Sequence, residues 1–197
     1  YSVMCMCGAV PWGFFANAMR ECSNSLVANA QMIAKIYFPR LIVPSSAVLS
    51  GSVDFLIGSV LLGIMMAFAG ISLRPQMALL PLFFAVGFLS AFAIGLWFSA
   101  LNVKYRDVKY VIPFIVQMGF LLTPVGFPTN SVPEKLQFWY NLNPMVGVID
   151  GFRWCILGAE YEPYWPGFGA SIALVLVTLF TGALFFRNSE KTFADVI

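Results

Sequence analysis

Histidine is absent from this sequence, which removes the commonest general base and the commonest metal ligand. The four cysteines are Cys5, Cys7, Cys22 and Cys155. Cys5 and Cys7 stand two apart, which is not a zinc spacing, and no further ligand cluster completes a site. They read as small buried hydrophobes. No G-x-x-x-x-G-K-[ST] run occurs, so the chain does not bind ATP by a P-loop. Neither G-x-S-x-G nor H-E-x-x-H is present, and no carboxylate pair is placed for glycoside chemistry. The residue types therefore nominate no catalytic group, no metal ligand and no cofactor contact.

Four polar features remain. Asp54, in the run SGSVDFLIG, is the one acid well inside an apolar stretch. A charge at the centre of a bilayer costs about 2.5–3.5 kcal/mol on insertion scales, so Asp54 should face protein or water. It lines a polar path or hydrogen-bonds a neighbouring helix. Arg20 and Glu21 lie at the end of the first apolar run, where they snorkel or pair with another helix. Asp150 and Arg153 are three apart and can pair on one helix face, as a weak surface pair or as a latch. Glu134, Glu160 and Glu162 are scattered among prolines and aromatic residues.

The elements that must position these groups are apolar. Of 197 residues, 60% are hydrophobic and 10% charged, and the average soluble domain is about 45–50% apolar and about 25% charged. With a mean hydropathy of +0.84, the excess fits a bilayer. A net charge of +2 without a basic patch gives no sign of a nucleic-acid partner. Five stretches approach the roughly 20 apolar residues a spanning helix needs: 2–19 and on toward 27, 41–73, 78–101, 110–127 and 167–186. The expected class is all-α, a polytopic membrane protein with five spans.

The connections differ in kind. Residues 28–38 (ANAQMIAKIYF) set Met32, Ile33, Ile36 and Tyr37 opposite Gln31 and Lys35, the spacing of a short amphipathic helix that Pro39 ends. Thr123–Pro124 and Gly126–Phe127–Pro128 break the fourth span near one end. Segments 133–142 and 144–157 are helix-like but too short to span, so they read as interfacial or re-entrant. The tail, 187–197, is polar. Lys35, Arg40, Lys104, Arg106, Lys109, Arg187 and Lys191 collect on one side, and Arg74, Lys135 and Arg153 on the other. Seven against three puts the first set in the cytoplasm. Trp12, Trp139, Tyr140, Trp154, Tyr164 and Trp165 fall near expected segment ends, as an interfacial belt or as flat faces along which sugar rings slide.

Residues 11–57 (PWGFFANAMRECSNSLVANAQMIAKIYFPRLIVPSSAVLSGSVDFLI), 95–117 (GLWFSALNVKYRDVKYVIPFIVQ) and 142–158 (LNPMVGVIDGFRWCILG), with the terminal FADVI, resemble the ABC-2 type permeases that export O-antigen, capsule and teichoic acid. The resemblance implies one transmembrane domain over 1–197. In the family, an interfacial helix and a first membrane helix, not found in this sequence, precede it. It implies a homodimeric permease in the bacterial inner membrane that moves lipid-linked polysaccharide and performs no covalent chemistry. ATP and Mg would sit on a separate ABC ATPase, and this chain would bind no cofactor. Segment 28–38 matches the family's coupling helix, which assigns ATPase contact to Asn29, Gln31, Met32, Lys35, Ile36 and Tyr37, joined by Arg106 and Asp107 of the next turn on that side. Segment 126–165 matches the gate helices, which assigns Phe127, Trp139, Tyr140, Asp150, Arg153 and Trp154, with Asp54, to path or gate. The competing expectations are a membrane glycosyltransferase or ligase acting on lipid-linked sugars, and a drug or lipid efflux permease.

Overall fold

A computed structural model describes residues 2–35, 39–105 and 107–196. Among the described residues there are eight α-helices and no strand: α1 (Ser2–Ala28), α2 (Ala30–Lys35), α3 (Ile42–Phe68), α4 (Leu80–Lys104), α5 (Val108–Leu121), α6 (Glu134–Asn141), α7 (Pro144–Leu157) and α8 (Trp165–Val196). The chain is an all-α, multi-pass membrane protein. Among the described residues, four helical segments are long and apolar enough to cross a bilayer: Ser2–Ala28, Ile42–Phe68, Pro75–Lys104 and Trp165–Glu190.

The expected fourth span is shorter than the sequence suggested. α5 has 14 residues and ends at Leu121. At 1.5 Å per residue that is about 21 Å, short of the roughly 30 Å hydrocarbon core. Thr123 precedes Pro124 and is thereby biased away from helical geometry, so the chain turns out of the helix. The polar tail departs in the opposite sense: α8 stays helical to Val196.

α1 and α4 form the interior. α1 packs against α3, α4, α5 and α7, and α4 against α8 as well. Small residues let these backbones approach, the usual device where lipid supplies no hydrophobic drive between helices. A Cβ on Gly51 would lie 3.5 Å from Ala18, and one on Gly58 3.3 Å from Val10. A ring cluster fills the space between them. Phe55 stacks on Phe84 at 4.1 Å, meets Phe152 edge-on at 5.9 Å, and Phe14 lies 5.0 Å from Phe84. Trp12 belongs to this interior, 5.4 Å from Phe15, and not to an interfacial belt. Leu49, Val53, Leu56, Val60, Leu174, Val177 and Phe180 point outward, as lipid-facing residues do.

Two ends can be told apart. At one, Asn102 Nδ2 of α4 donates to Ser23 O (3.1 Å) and Asn24 Oδ1 (3.0 Å) of α1, and Arg40 donates to Glu190 O. The lysine-rich connections lie there. At the other, α6, α7 and the first turns of α1 and α8 assemble. α7 enters between α4 and α8 because Gly147 faces the Phe168 ring and Gly151 the Phe83 ring without a side chain between.

Gly151→Val should therefore unseat α7. Overpacking of this kind costs about 1–3 kcal/mol. Thermal unfolding of the detergent-purified protein should show a clear drop, while Gly169→Ala, where a Cβ meets nothing within 4 Å, should leave the midpoint unchanged.

Candidate functional site

Two polar constellations interrupt the apolar interior. The first centres on Arg153 of α7, which is 0% exposed. Its guanidinium donates from Nη2 to Val125 O (2.9 Å), from Nη1 to Phe127 O (3.0 Å) and from Nε to Met4 O (3.5 Å). Asp150 Oδ1 lies 3.9 Å from Nη1 and accepts the Thr129 hydroxyl at 2.8 Å. The pair is thus buried rather than a surface pair, and its ionic contact is longer than the bonds to Val125 and Phe127.

Local sequence explains this arrangement. Residues 122–128 are non-helical, so their carbonyls lack ladder partners, and backbone of that kind at membrane depth must be satisfied by protein or water. A guanidinium offers five donors in a fixed fork. Asn143 caps α7, accepting from Met145 N at 3.1 Å, with Pro144 at the first helical position; its Nδ2 donates to Thr123 Oγ1 at 3.3 Å. Gly8 of α1 packs closely here, since a Cβ would sit 2.8 Å from Val125 O.

α6 and α7 do not span, and burial governs their ionisation. It pushes the Asp150 carboxyl up to about 6, against the Thr129 hydrogen bond and the Arg153 charge. Burial, and then the Asp150 charge, push the Tyr140 hydroxyl up to about 12. That hydroxyl is buried and takes no hydrogen bond among the described residues. Phe127 contributes its carbonyl to Arg153. Trp139 is exposed, and Trp154 meets Trp165 edge-on at 5.7 Å.

The second constellation is a groove between α1 and α3. Asn17, Glu21, Ala47, Ser50, Gly51 and Asp54 line a cavity of about 470 Å³. Asp54 and Glu21 are both exposed along it. An adjoining cavity adds Asn24, Asn29 and Ser46. Single-residue reasoning found Asp54 but not the i, i+4, i+7 series Asn17, Glu21, Asn24 on α1, nor the facing i, i+4, i+8 series Ser46, Ser50, Asp54 on α3. Both series were readable as polar stripes at helical spacing.

The segment matched to a coupling helix includes α2. Ile33 is buried against Leu26, Val43 and Phe186, while Gln31, Met32 and Lys35 are exposed. Asn29 Nδ2 donates to Ser25 O at 2.8 Å, marking the turn out of α1. Met32 is therefore outward with Gln31 and Lys35 rather than inward with Ile33. Ile36, Tyr37 and Arg106 lie outside the described residues. Asp107 is exposed and makes no side-chain cap; the turn is closed by Val108 N donating to Tyr105 O at 3.1 Å.

Residues 1–157 match the family described as ABC-2 type transporter. The chain belongs to that family. It is a transport permease and not an enzyme, and the family implies a partner ABC ATPase. Among its relatives are two proteins called O-antigen export system permease protein RfbA in Klebsiella pneumoniae. Both are 26% identical, over 209 and 202 residues, covering 100% of this chain and 76% of each relative. A protein of the same name in Myxococcus xanthus is 21% identical over 192 residues, covering 96% of this chain and 74% of its own.

If carbonyl bonds dominate at Arg153, its loss and that of Asp150 will differ in cost. Arg153→Met strands the carbonyls and a buried carboxylate, an uncompensated loss of about 3–5 kcal/mol. Asp150→Asn should cost less than half of that in denaturant unfolding in micelles. Equal losses would make the ion pair the main contact.

Proposed function

We propose that this chain is the membrane subunit of an ATP-driven exporter that moves a lipid-linked cell-surface polysaccharide outward across the bacterial inner membrane. The observation that carries the reading is similarity along nearly the whole chain to permeases named for O-antigen export. The lysine-rich end faces the cytoplasm, by the charge bias of short loops. α5 with the turn at 122–128 makes the fifth crossing, and α6 and α7 form the outer gate.

The ATPase, carrying ATP and Mg, docks on the exposed face of α2 at Gln31, Met32 and Lys35. A push there acts on α1, which continues into α2 through the Asn29 turn. α1 runs from Met4, beside Arg153, to the Asn29 turn, so one helix joins the docking surface to the gate. The groove of Asn17, Glu21 and Asp54 supports a path lined by two copies of the chain. Carboxylates facing hydrocarbon would be costly, whereas a second copy enclosing water between the grooves leaves them solvated.

Deleting the gene tests the class. Lipid-linked polymer should accumulate inside the cell and vanish from the surface. Unfinished polymer would point to an enzyme, and normal surface polymer with new drug sensitivity to an efflux permease.

Asp54→Leu tests the path. It should fold, because Asp54 is exposed, and it should fail to restore surface polymer to the deletion strain. Normal surface polymer would remove Asp54 from the path.

A further inference from the structure

Beside the Arg153 constellation lies a cavity of about 260 Å³, lined by Thr129, Gln137, Asn141, Asp150, Glu162 and Tyr164, with Tyr161 and Pro163 on the connecting turn. Asn141 is 0% exposed. Its Nδ2 donates to Gln137 O at 2.8 Å, which fixes which way the amide points. Its Oδ1 is buried and takes no hydrogen bond among the described residues. A buried, unpaired acceptor costs the full desolvation of that group, so its retention asks for a ligand that supplies a donor.

The surrounding groups narrow the ligand. Asp150 adds a carboxylate whose Oδ1 already holds Thr129, and Glu162 adds another whose Oε1 accepts from Trp165 Nε1 at 3.0 Å. Acceptors therefore outnumber free donors. The tyrosine rings and Pro163 supply apolar surface beside them. A compact ligand bearing several hydroxyl donors on a ring with C–H faces matches both features. The volume is below that of a drug-sized pocket and suits a single ring.

We propose that this cavity is a carbohydrate subsite that binds one pyranose ring of the polymer at the outer end. This rests on the polysaccharide-export reading and deepens it. α6 supplies Gln137 and Asn141, α7 supplies Asp150, and the 158–164 turn supplies the ring-bearing wall. A sugar seated there bridges the two short helices to the start of α8, so binding is coupled to the position of the gate.

Saturation-transfer NMR tests it on the permease–ATPase complex in nanodiscs. The probes are methyl α-D-mannopyranoside, methyl β-D-galactopyranoside and methyl N-acetyl-β-D-glucosaminide, each titrated to give a Kd. Transfer to at least one glycoside is expected. Gln137→Leu and Tyr164→Ala, at half-buried and exposed positions, and Asn141→Leu inside, should each weaken it about tenfold, the change expected for losing one good hydrogen bond or one ring face. No transfer to any glycoside, transfer unchanged in all three variants, or binding of Ca²⁺ without glycoside would overturn the subsite. If transfer is absent while the deletion strain traps polymer inside, the subsite falls and the export reading stands. If surface polymer is normal in the deletion strain, the export reading falls, and with it the assignment of the ring to an exported polymer.

Discussion

One buried guanidinium holds the α6–α7 end of this protein together. The chain leaves α5 at Leu121, eight residues before the turn at Thr129, and spends the interval without a helical ladder. Carbonyls in such a stretch cannot be left facing hydrocarbon. Arg153 answers two of them, at Val125 and Phe127, and reaches Met4 in the first turn of α1. A lysine could not reproduce this, because its three donors radiate from a single point while the guanidinium presents a planar fork. The non-helical turn, α7 and α1 are therefore mutually dependent. Without the fork the turn has no acceptable place, and without the turn the fork loses its two shortest hydrogen bonds.

The opposite end is secured by side chains that bridge segments distant in sequence. Asn102 reaches two acceptors on α1, and Arg40 reaches the backbone of α8. Between the ends the contacts are glycine, alanine and aromatic rings, which resist separation but permit small shifts along the helix axes. α1 is thus held at both ends by hydrogen bonds and along its length by packing.

Much of this was legible in the residues, for physical reasons that differ by element. α7 begins at Pro144 and ends at Leu157, as expected, because Asn-Pro specifies a helix start and Gly158, with φ of 112°, specifies a stop. α3, α4 and α8 followed from apolar length, and the break after α5 from Thr123–Pro124, although apolar length carried the expected span past it to 127. The continuation of α8 through its polar end was not legible, since a hydropathy boundary marks where lipid ends and not where the helix does. Spacing placed Asp150 and Arg153 on one face. It could not show that the arginine prefers carbonyls, because backbone acceptors are the same at every position and leave no mark in the sequence. Asn141 escaped notice for a similar reason: an asparagine near a helix end reads as a cap until its partners are known. The packing of Gly151 on Phe83 is a contact between segments 68 residues apart, and only the fold reveals it.

The two polar constellations obey opposite rules, and the contrast says what each is for. In the buried pair on α7 both charged groups have partners within the chain: Arg153 has carbonyls and Asp150, and Asp150 has Thr129. Such a pair is satisfied within the chain and holds geometry. In the groove, Glu21 and Asp54 are exposed on helices otherwise faced with lipid-facing apolar residues. Hydrocarbon cannot solvate two carboxylates at that cost. The groove is therefore incomplete as a lipid-facing surface, and water or protein must lie against it. A structural site would have been free to bury these acids against Asn17 and Asn24, which stand on the same stripe. Their exposure instead leaves a polar strip along two membrane helices, an arrangement a packed bundle avoids.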